Sequence, residues 1–400
     1  MKSILGTLAA VLLLAAPAAA KPSATDQAAI AAIETHLGLA GDKALATRMA
    51  DVNVPGVSIA FIEDGKVKWT RTYGVATAGG KALTPETLFQ AASMSKAVAA
   101  AAALRLADRG RLALDDDINA HLTAWKVPES PYTAKEKVTL RRLLSHTAGM
   151  TVSGFPGYAA DKPVPTTVQI LNGEPPSNTP AIRSFEAPGS AYAYSGGGYT
   201  VAQLAIVEAG GKAWPDLLQE LVLRPAGMRA STYAQPLPAR LVQQAASGHG
   251  VRGLVIPGGR NTYPEYAAAS LWTTPSDYGR FLIAMQDAWA GRRGALLSPA
   301  SAKAMMTPVD ANAGYGLGLA LGQRGGHPFI QHGGSNSGFQ CNAFAFLDGQ
   351  RQGLVVMTNG DAGGVIATDI FRAVATAYGW GAPDPGNKAS PRRAPLAPPK

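Results

Sequence analysis

The order of strand-like and helix-like segments predicts an α+β fold, with an antiparallel sheet built from both ends of the sequence and a mainly helical lobe inserted between them. Two strand-like runs flank Asp64-Gly65, a dipeptide typical of a tight β-hairpin. Strand-like runs return after Tyr315 in the segments YGLGLAL, QCNAFAFLD and QGLVVMTNG. Helical patterns dominate between these two groups, so we expect the early and late strands to form one sheet flanked by helices.

Helical patterns occur on both sides of the first hairpin. Residues 21 to about 50 and residues 89–150 are expected to be mainly helical. Residues 151–190 are rich in Pro, Gly, Ser and Asn and too long for a simple connection, so we expect them to cover or border a site. Further helices are expected in YTVAQLAIVEAGG, AWPDLLQELVLRPAGM and TPSDYGRFLIAMQDAWA, and from about Gly364 to Tyr378.

The first twenty residues have the pattern of a secretory signal peptide. Lys2 precedes an apolar run that is short for a membrane span, and Ala18-Ala19-Ala20 offers a cleavage site. We therefore expect a secreted or periplasmic protein with no integral membrane segment after signal cleavage. The expected organisation is a signal peptide at 1–20, one domain at 21–382 with an α/β lobe (about 21–90 and 310–382) and a helical lobe (about 91–309), and a disordered Pro-rich tail at 383–400.

Charge and cysteine content exclude some classes of function. The net charge of +9 comes from 36 basic and 27 acidic residues, and the basic residues are scattered rather than interleaved with aromatics. We therefore expect no nucleic-acid partner. Cys341 is the single cysteine, so no internal disulfide forms and stability must come from the core.

A serine and a lysine lie three residues apart at the start of an alanine-rich stretch. Residues at this spacing share one face of a helix, and the backbone N–H of Ser93 in the first turn suits a developing oxyanion. Lys96 is followed by small apolar residues, and burial makes an amine a usable base. Ser-x-x-Lys also occurs by chance, so this pair needs support from other features.

Two glycine-rich stretches provide that support. YAYSGGGY places Tyr194 in a loop before a helix, where its hydroxyl can exchange protons with the serine and a leaving group. IQHGGSNSGF places His332, Gly333 and Gly334 in a strand-like run, where glycines mark close approach of another backbone or a ligand. The Ser335 amide is a candidate second oxyanion donor. Taken alone, Tyr194 is better explained as a buried aromatic in a helix-entry loop, and His332 as a core or turn histidine.

In this order the three elements resemble the penicillin-recognising serine hydrolases, in the branch related to class C β-lactamases, which also contains D-aminopeptidases, D-alanyl-D-alanine carboxypeptidases and carboxylesterases. The resemblance covers about residues 55–360, including FQAASMSK, LLSHTAGM, PGSAYAYSGGGY, SLWTTPSDYGRF and HGGSNSGF. It implies a β-lactamase/transpeptidase-like fold and a structural role for His146. It also implies an acylated nucleophile (Ser93), its base (Lys96), a proton relay (Tyr194), an oxyanion hole of the Ser93 and Ser335 amides, and a substrate strand containing His332, Gly333 and Gly334.

Two departures from the family pattern point to an altered substrate. Gly196 replaces an asparagine that in many members contacts the acylamino group, and His332 replaces a lysine whose permanent charge a histidine does not supply. Both weaken the expectation of an efficient β-lactamase or a strict D-alanyl-D-alanine enzyme. Gly196, Tyr263 and Glu265 are a possible site wall, although a surface loop explains the last two equally well.

The sequence therefore predicts an exported serine hydrolase, an esterase or peptidase, that cleaves an ester or amide bond through a Ser93 acyl-enzyme without cofactor or metal. The substrate would be a small-molecule ester, a peptide or a β-lactam. Three alternatives remain open: a penicillin-binding sensor or carboxypeptidase that forms a stable acyl adduct, a weak β-lactamase, or a hydrolase that uses His332 as the base. The absence of Gly-x-Ser-x-Gly, His-Glu-x-x-His and Gly-Lys-Ser/Thr argues against an α/β-hydrolase elbow, a zinc protease and a P-loop.

Overall fold

The computed structural model describes residues 22–310, 313–384 and 392–398, so the predicted signal peptide at 1–20 lies outside the described residues. The strands are β1 (Gly56–Glu63), β2 (Lys66–Gly74), β3 (Phe89–Gln90), β4 (Trp272–Thr273), β5 (Ala320–Arg324), β6 (His327–Asn336), β7 (Phe339–Phe346) and β8 (Gly353–Thr358). The α-helices are α1 (Ala24–Thr35), α2 (Leu45–Asp51), α3 (Ser95–Asp108), α4 (Leu140–Leu144), α5 (Thr167–Asn172), α6 (Gly196–Gly210), α7 (Trp214–Leu218), α8 (Ala239–Val242), α9 (Tyr266–Ala269), α10 (Pro275–Trp289), α11 (Pro299–Met305) and α12 (Gly363–Ala377).

The main sheet joins the early and late strands, which confirms the predicted α+β fold. Its order is β2-β1-β8-β7-β6-β5, and every neighbouring pair is antiparallel. The β1–β2 turn contains Asp64 and Gly65 at φ 49° and 76°, the two positive values that a type I′ hairpin turn requires. The pairing of β1 with β8 joins the early strands to the late strands in one sheet.

Helices cover both faces of this sheet. Phe61 of β1 packs in the core with α1 and α12, while its neighbour Ile62 packs on the opposite side, against Gly279 of α10. Successive residues of a strand point to opposite faces, so β1 is apolar along most of its length rather than alternating. Helix α10 also contacts the turn before α3, because the Tyr278 hydroxyl of α10 donates to the Met94 carbonyl at 3.1 Å.

The alanine-rich helix α3 lies at the centre of the protein. Every residue from Ser95 to Leu104 is buried, so the helix has no solvent face along this length. Its small side chains let other segments approach closely: a Cβ added to Gly318 would lie 2.8 Å from the Lys96 carbonyl oxygen. This packing holds the start of α3 between the sheet and the helical lobe.

Two helical predictions were too long. Residues 21 to about 50 form α1 and α2, separated by a turn in which Gly38 and Gly41 have positive φ. In residues 89–150, only α3, α4 and two 3-10 turns (Ala92–Met94 and Ile118–Ala120) are helical; β3 begins the segment, and irregular backbone occupies the rest. The pattern after α3 reflects apolar side chains packing from loops, since Leu122, Trp125 and Val127 are buried without forming a helix.

Candidate active site

Ser93 lies in a short 3-10 turn, Ala92–Met94, that leads directly into α3. Ala92 has φ 49°, a left-handed conformation that costs a residue with a Cβ on the order of 1 kcal/mol. The neighbouring Ser95 holds this conformation, because its hydroxyl donates to the Ala92 carbonyl at 2.6 Å and accepts from the Leu271 amide at 3.0 Å. The strained turn leaves the Ser93 side chain half-buried at the start of the helix.

Lys96 is within hydrogen-bonding distance of the candidate nucleophile. Its Nζ lies 3.1 Å from Ser93 Oγ and donates to the Ala268 carbonyl at 2.8 Å, and the side chain is 2% exposed. Desolvation lowers the pKa of Lys96 to about 7, and the positive charge of Arg393 acts in the same direction. A large fraction of the amine is therefore neutral at pH 7 and can accept a proton from Ser93.

Tyr194 lies on the other side of the amine. Lys96 Nζ is 5.0 Å from the centroid of its ring. Desolvation raises the pKa of Tyr194 to about 12, although hydrogen bonding to Ser93 and the charge of Arg393 act in the opposite direction. The phenol therefore keeps its proton at neutral pH, so in the resting site it is a donor or relay rather than a base.

His146 fixes the loop that contains Tyr194. Its Nδ1 accepts from the Ser195 amide at 3.0 Å, and its carbonyl accepts from the Ala193 amide at 2.8 Å. Ser195 also caps α6, because its hydroxyl accepts from the Gly198 amide at 2.9 Å. The structure thus gives His146 the structural position that the resemblance implied, anchoring both residues that flank Tyr194.

Strand β6 passes very close to the Ser93 turn at Gly334. A Cβ on Gly334 would lie 2.2 Å from the Ala91 carbonyl oxygen, whereas a Cβ on Gly333 would meet only the Cys341 carbonyl oxygen at 3.7 Å. Glycine is therefore required at position 334 by the approach of another backbone, as the sequence predicts. At position 333 the structure shows no such steric requirement.

The Ser335 amide is directed toward the same turn. The two-residue loop between Asn336 and Phe339 makes these two residues a hydrogen-bonded pair, so the next pair, Ser335 and Gln340, is a non-hydrogen-bonded one. The Ser335 N–H therefore points away from β7. Pairing of β5 with β6 ends at Gln331, which leaves this edge open beside the Ser93 turn.

An alanine at position 334 should damage the site. We expect Gly334→Ala to lower kcat/KM on the order of 100- to 1000-fold, because the strand must move away and carry the Ser335 amide with it. Overpacking should also cost about 1–3 kcal/mol of the free energy of unfolding. Gly333→Ala is the matched control and should lower kcat/KM by less than about tenfold, with an unfolding free energy within about 0.5 kcal/mol of wild type. Equal effects of the two variants in steady-state kinetics and urea denaturation would contradict this account.

His332 is buried, neutral and already hydrogen-bonded. Its Nδ1 lies 2.6 Å from the Gly333 carbonyl and its Nε2 lies 3.1 Å from the Tyr315 hydroxyl. A carbonyl only accepts, so Nδ1 carries the proton and Nε2 accepts from Tyr315. Burial and the nearby Lys96 lower the pKa of His332 to about 3. The lone pair of Nε2 is thus occupied, which disfavours His332 as the base for Ser93.

Sequence reasoning did not identify the aromatic residues that enclose the amine. The Tyr199 ring centroid is 5.5 Å from Lys96 Nζ, and its hydroxyl donates to the Leu144 carbonyl at 2.6 Å. Tyr192 and Tyr315 have ring centroids 5.5 Å apart and form the next layer. Tyr192 and Tyr199 lie in the stretch quoted for Tyr194, so the density of tyrosine there was a usable signal, whereas Tyr315 had none.

Of the three candidate wall residues, only Gly196 lies near the Tyr194 loop. It begins α6, and a Cβ there would lie 2.8 Å from the Phe155 ring, so Phe155 takes the space beside it. Tyr263 and Glu265 are fully buried and present no surface to a substrate. The Tyr263 hydroxyl instead accepts from the Ser337 amide at 3.2 Å. Assigning these two residues to the site wall was wrong, because their loop folds into the core.

Glu265 makes the stability of the protein depend on pH. Neither carboxylate oxygen has a hydrogen-bond partner in another residue of the described chain, and desolvation raises the pKa of Glu265 to about 8. The folded state therefore binds one proton more than the unfolded state between the ordinary pKa of 4.5 and about 8, so this residue lowers stability as the pH rises through that window.

The substitution Glu265→Gln should remove that loss. We expect the unfolding free energy of the variant to match wild type near pH 5 and to exceed it by about 2–4 kcal/mol at pH 8. Urea denaturation at the two pH values measures both differences. A variant that is equally destabilised at pH 5 and pH 8 would show that Glu265 is charged and paired in the folded protein.

Part of the predicted disordered tail is ordered at the site. Residues 392–395 lie against the Tyr194 loop, and Tyr194 pairs with Arg393 as in a parallel strand. Residues 392–395 depart from the disorder predicted for 383–400, because backbone hydrogen bonds to the loop and the packing of Ala394 against Phe185 hold them in place. Residues 385–391 and 399–400 lie outside the described residues.

Two further properties concern the described residues only. In residues 22–310, 313–384 and 392–398, no cluster of three or more His, Cys, Asp or Glu side chains is arranged to hold a metal ion. Within the same ranges, no helix combines the length and apolar character needed to cross a membrane.

Comparison with known proteins decides the family. The β-lactamase family matches residues 42–378, which is most of the chain. The protein belongs to the β-lactamase family. It is thereby a serine hydrolase of the β-lactamase/transpeptidase fold, and the resemblance inferred from the sequence is confirmed.

The β-lactamase family relatives differ in how much of their length this chain matches. Penicillin-binding protein 4 of Amycolatopsis lactamdurans is 26% identical over 348 residues, covering 80% of this chain and 84% of that protein. Protein flp of Staphylococcus aureus (strain N315) is 27% identical over 243 residues, which is 59% of this chain but only 45% of flp. The chain thus spans less than half the length of that relative.

Solved structures share the fold at lower sequence identity. D-amino acid amidase from Ochrobactrum anthropi SV3 superposes with a TM-score of 0.67 at 22% identity, covering 88% of this chain and 99% of that one. The octameric penicillin-binding protein homologue from Pyrococcus abyssi gives a TM-score of 0.67 at 22% identity, and the superposition covers 84% of this chain and 76% of that one. At these identities the likeness shows the fold alone.

Proposed function

We propose that this member of the β-lactamase family is an exported hydrolase that cleaves an ester or amide bond through an acyl-enzyme on Ser93. The observation that carries the proposal is the 3.1 Å contact between Lys96 Nζ and Ser93 Oγ, made by an amine whose pKa burial lowers to about 7. A serine hydroxyl is a weak nucleophile until a neighbouring base accepts its proton.

In the acylation step, neutral Lys96 accepts the Ser93 proton as Oγ attacks the substrate carbonyl carbon. The carbonyl oxygen becomes an oxyanion, which the amides of Ser93 and Ser335 stabilise by hydrogen bonds. When the carbonyl bond to the leaving group breaks, the proton held by Lys96 returns through the Tyr194 hydroxyl to the departing oxygen or nitrogen. The products of this step are an ester of Ser93 and a neutral alcohol or amine.

In the deacylation step, water attacks the Ser93 ester and gives its proton to the Lys96–Tyr194 pair, which returns it to Ser93 Oγ. The acid is released and the site is restored. Lys96 must be neutral at the start of both half-reactions, so its lowered pKa supports turnover near neutral pH.

The substrate class follows from the departures around the site. Gly196 has no side-chain amide to offer an acylamino group, and a Cβ at position 196 would lie 2.8 Å from the ring of Phe155. A short ester or an amide of a D-amino acid needs fewer contacts than a penicillin does. We therefore propose an esterase or peptidase, in keeping with a fold shared with a D-amino acid amidase.

A second candidate is a penicillin-binding protein that forms a lasting acyl adduct. The observation in its favour is the similarity to penicillin-binding protein 4 of Amycolatopsis lactamdurans, which extends over 80% of this chain. The same Ser93, Lys96 and Tyr194 would serve such a protein, with slow deacylation as the only difference.

Mass spectrometry of rapidly quenched protein separates the two candidates. With p-nitrophenyl butyrate or D-alanine p-nitroanilide, we expect a transient acyl mass on the peptide that contains Ser93, together with continuous product release. Nitrocefin should turn over slowly. A lasting penicillin adduct without ester turnover would favour the penicillin-binding protein, and undiminished hydrolysis by Ser93→Ala would overturn both candidates.

A further inference from the structure

Residues 392–395 lie along the Tyr194 loop and are held there by backbone hydrogen bonds. The Tyr194 amide donates to the Arg392 carbonyl at 2.9 Å, and the Ala394 amide donates to the Tyr194 carbonyl at 2.9 Å. The Val152 amide donates to the Pro395 carbonyl at 2.7 Å. The segment is thus held as an added strand along the loop that contains the proton relay.

The pairing fixes which way each side chain of the segment points. Arg392 and Ala394 lie on one side: the Arg392 guanidinium is 5.8 Å from the Phe185 ring centroid, and Ala394 is 5% exposed and packs with Phe185. Side chains alternate along a strand, and residues paired across a ladder project from the same face. Arg393 is paired with Tyr194, so its side chain projects on the Tyr194 side.

The electrostatics agree with this geometry. The positive charge of Arg393 acts to lower the pKa of Lys96, Tyr194 and Tyr192, so the guanidinium is near all three. Arg393 is exposed, and no ion pair links it to another residue of the described chain. Arg392, by contrast, donates to Glu186 at 2.7 Å.

Of the described residues, the two basic groups next to Ser93 and Tyr194 offer a substrate no permanent positive charge. His332 is neutral, and Lys96 must be neutral to act as a base. An arginine stays protonated throughout the working pH range and presents paired N–H donors that match a carboxylate. Arg393 therefore differs from the other basic groups of the site in being charged, exposed and directed toward it.

We propose that Arg393 is a specificity residue that binds a free carboxylate on the substrate, so that the enzyme prefers anionic esters or peptides over their neutral counterparts. This inference rests on the proposed hydrolase function and names its substrate class. The residue comes from a segment remote in sequence from the catalytic groups and adds a contact outside the bond-breaking machinery.

A pair of esters that differ only in charge tests the proposal. The probes are p-nitrophenyl hemisuccinate, which carries a free carboxylate, and its methyl ester. At pH 9, where Lys96 is neutral in either protein, we expect Arg393→Gln to lower kcat/KM for the acid about 10- to 100-fold, mainly through KM. The kcat/KM of Arg393→Gln for the methyl ester should stay within about threefold of wild type. Added salt should weaken the preference of the wild type for the acid and leave the variant unchanged.

Arg392→Gln is the matched control, since it removes the same charge from the adjacent residue on the opposite face. It should change kcat/KM for the two esters by the same small factor, because the ion pair between Arg392 and Glu186 is partly exposed. Equal losses on both esters in Arg393→Gln, or no loss on either, would overturn the proposal. Equal losses of kcat/KM for the acid in the two arginine variants would also contradict the proposal, because they would show a general effect of net charge.

A binding experiment keeps this inference separate from the hydrolase proposal. In a Ser93→Ala background, calorimetry with N-acetyl-D-alanine and with its amide needs no turnover. We expect the acid to bind more tightly than the amide, and Arg393→Gln to remove the difference. If the wild type hydrolyses neither ester but this difference is found, the hydrolase proposal fails and the carboxylate site stands. If the acid and the amide bind alike, the carboxylate site fails whatever the esterase result.

Discussion

Replacing Lys96 with methionine should abolish hydrolysis while leaving the fold intact. Methionine keeps most of the volume of the buried stem and removes the amine that lies 3.1 Å from Ser93 Oγ. Because the serine and its base act as a unit, we expect kcat/KM to fall about 10⁴- to 10⁶-fold, close to the level of Ser93→Ala. Steady-state kinetics with p-nitrophenyl butyrate measures the loss, and circular dichroism and the melting temperature check the fold.

Lys96→Arg distinguishes a base from a counter-charge. Arginine retains a positive charge but does not become neutral, so it should be as inactive as Lys96→Met if the amine works as a base. A variant with near-normal activity at position 96, combined with loss of activity in His332→Gln, would instead assign the base to His332. The hydrogen bond between His332 Nε2 and the Tyr315 hydroxyl is the reason that we expect His332→Gln to retain acylation.

Replacing Tyr194 with phenylalanine should have the second largest effect, and its size should depend on the leaving group. An amide nitrogen must be protonated as it departs, whereas p-nitrophenolate leaves without a proton. We therefore expect kcat for D-alanine p-nitroanilide to fall about 100- to 10,000-fold, the usual contribution of a positioned acid, and kcat for p-nitrophenyl butyrate to fall much less.

Tyr192→Phe is the control for Tyr194→Phe. Tyr192 lies on the same loop and is buried, but its ring faces Tyr315 and His146 rather than the amine. This substitution should change kcat for both substrates by less than about threefold. Equal losses on the amide and the ester in Tyr194→Phe would show that Tyr194 positions Lys96 rather than transferring a proton.

The nucleophile and its base were predictable from the sequence because their geometry is local. Residues three apart at a helix start share a face whatever the rest of the fold does, and the alanines after Lys96 indicated a buried helix. The close approach at Gly334 was predictable for the same kind of reason, since a glycine within a strand leaves space for another backbone. The difference between Gly333 and Gly334 depends on which faces the Ser93 turn, and this required the structure.

The contacts that span the chain were not predictable. Tyr315 precedes β5, and the β5–β6 hairpin brings it to His332. No residue pattern around Tyr315 predicts this contact. Residues 392–398 have a Pro-rich composition typical of disorder, yet backbone hydrogen bonds fix residues 392–395 to the Tyr194 loop and to Val152. Backbone hydrogen bonds do not depend on the side chains, so the sequence does not predict them. The burial of Tyr263 and Glu265 was not predictable either, because both are polar residues in a loop-like stretch of sequence that folds into the core.

The most direct test of the central claim is a pH titration of the Lys96 amine by NMR on lysine-labelled protein, assigned by loss of the signal in Lys96→Met. The account predicts a midpoint at a pKa of about 7, set by burial in the aromatic enclosure and by the charge of Arg393. A midpoint near 10.4, the ordinary value for lysine, would mean that the amine is charged at neutral pH and is not the base for Ser93.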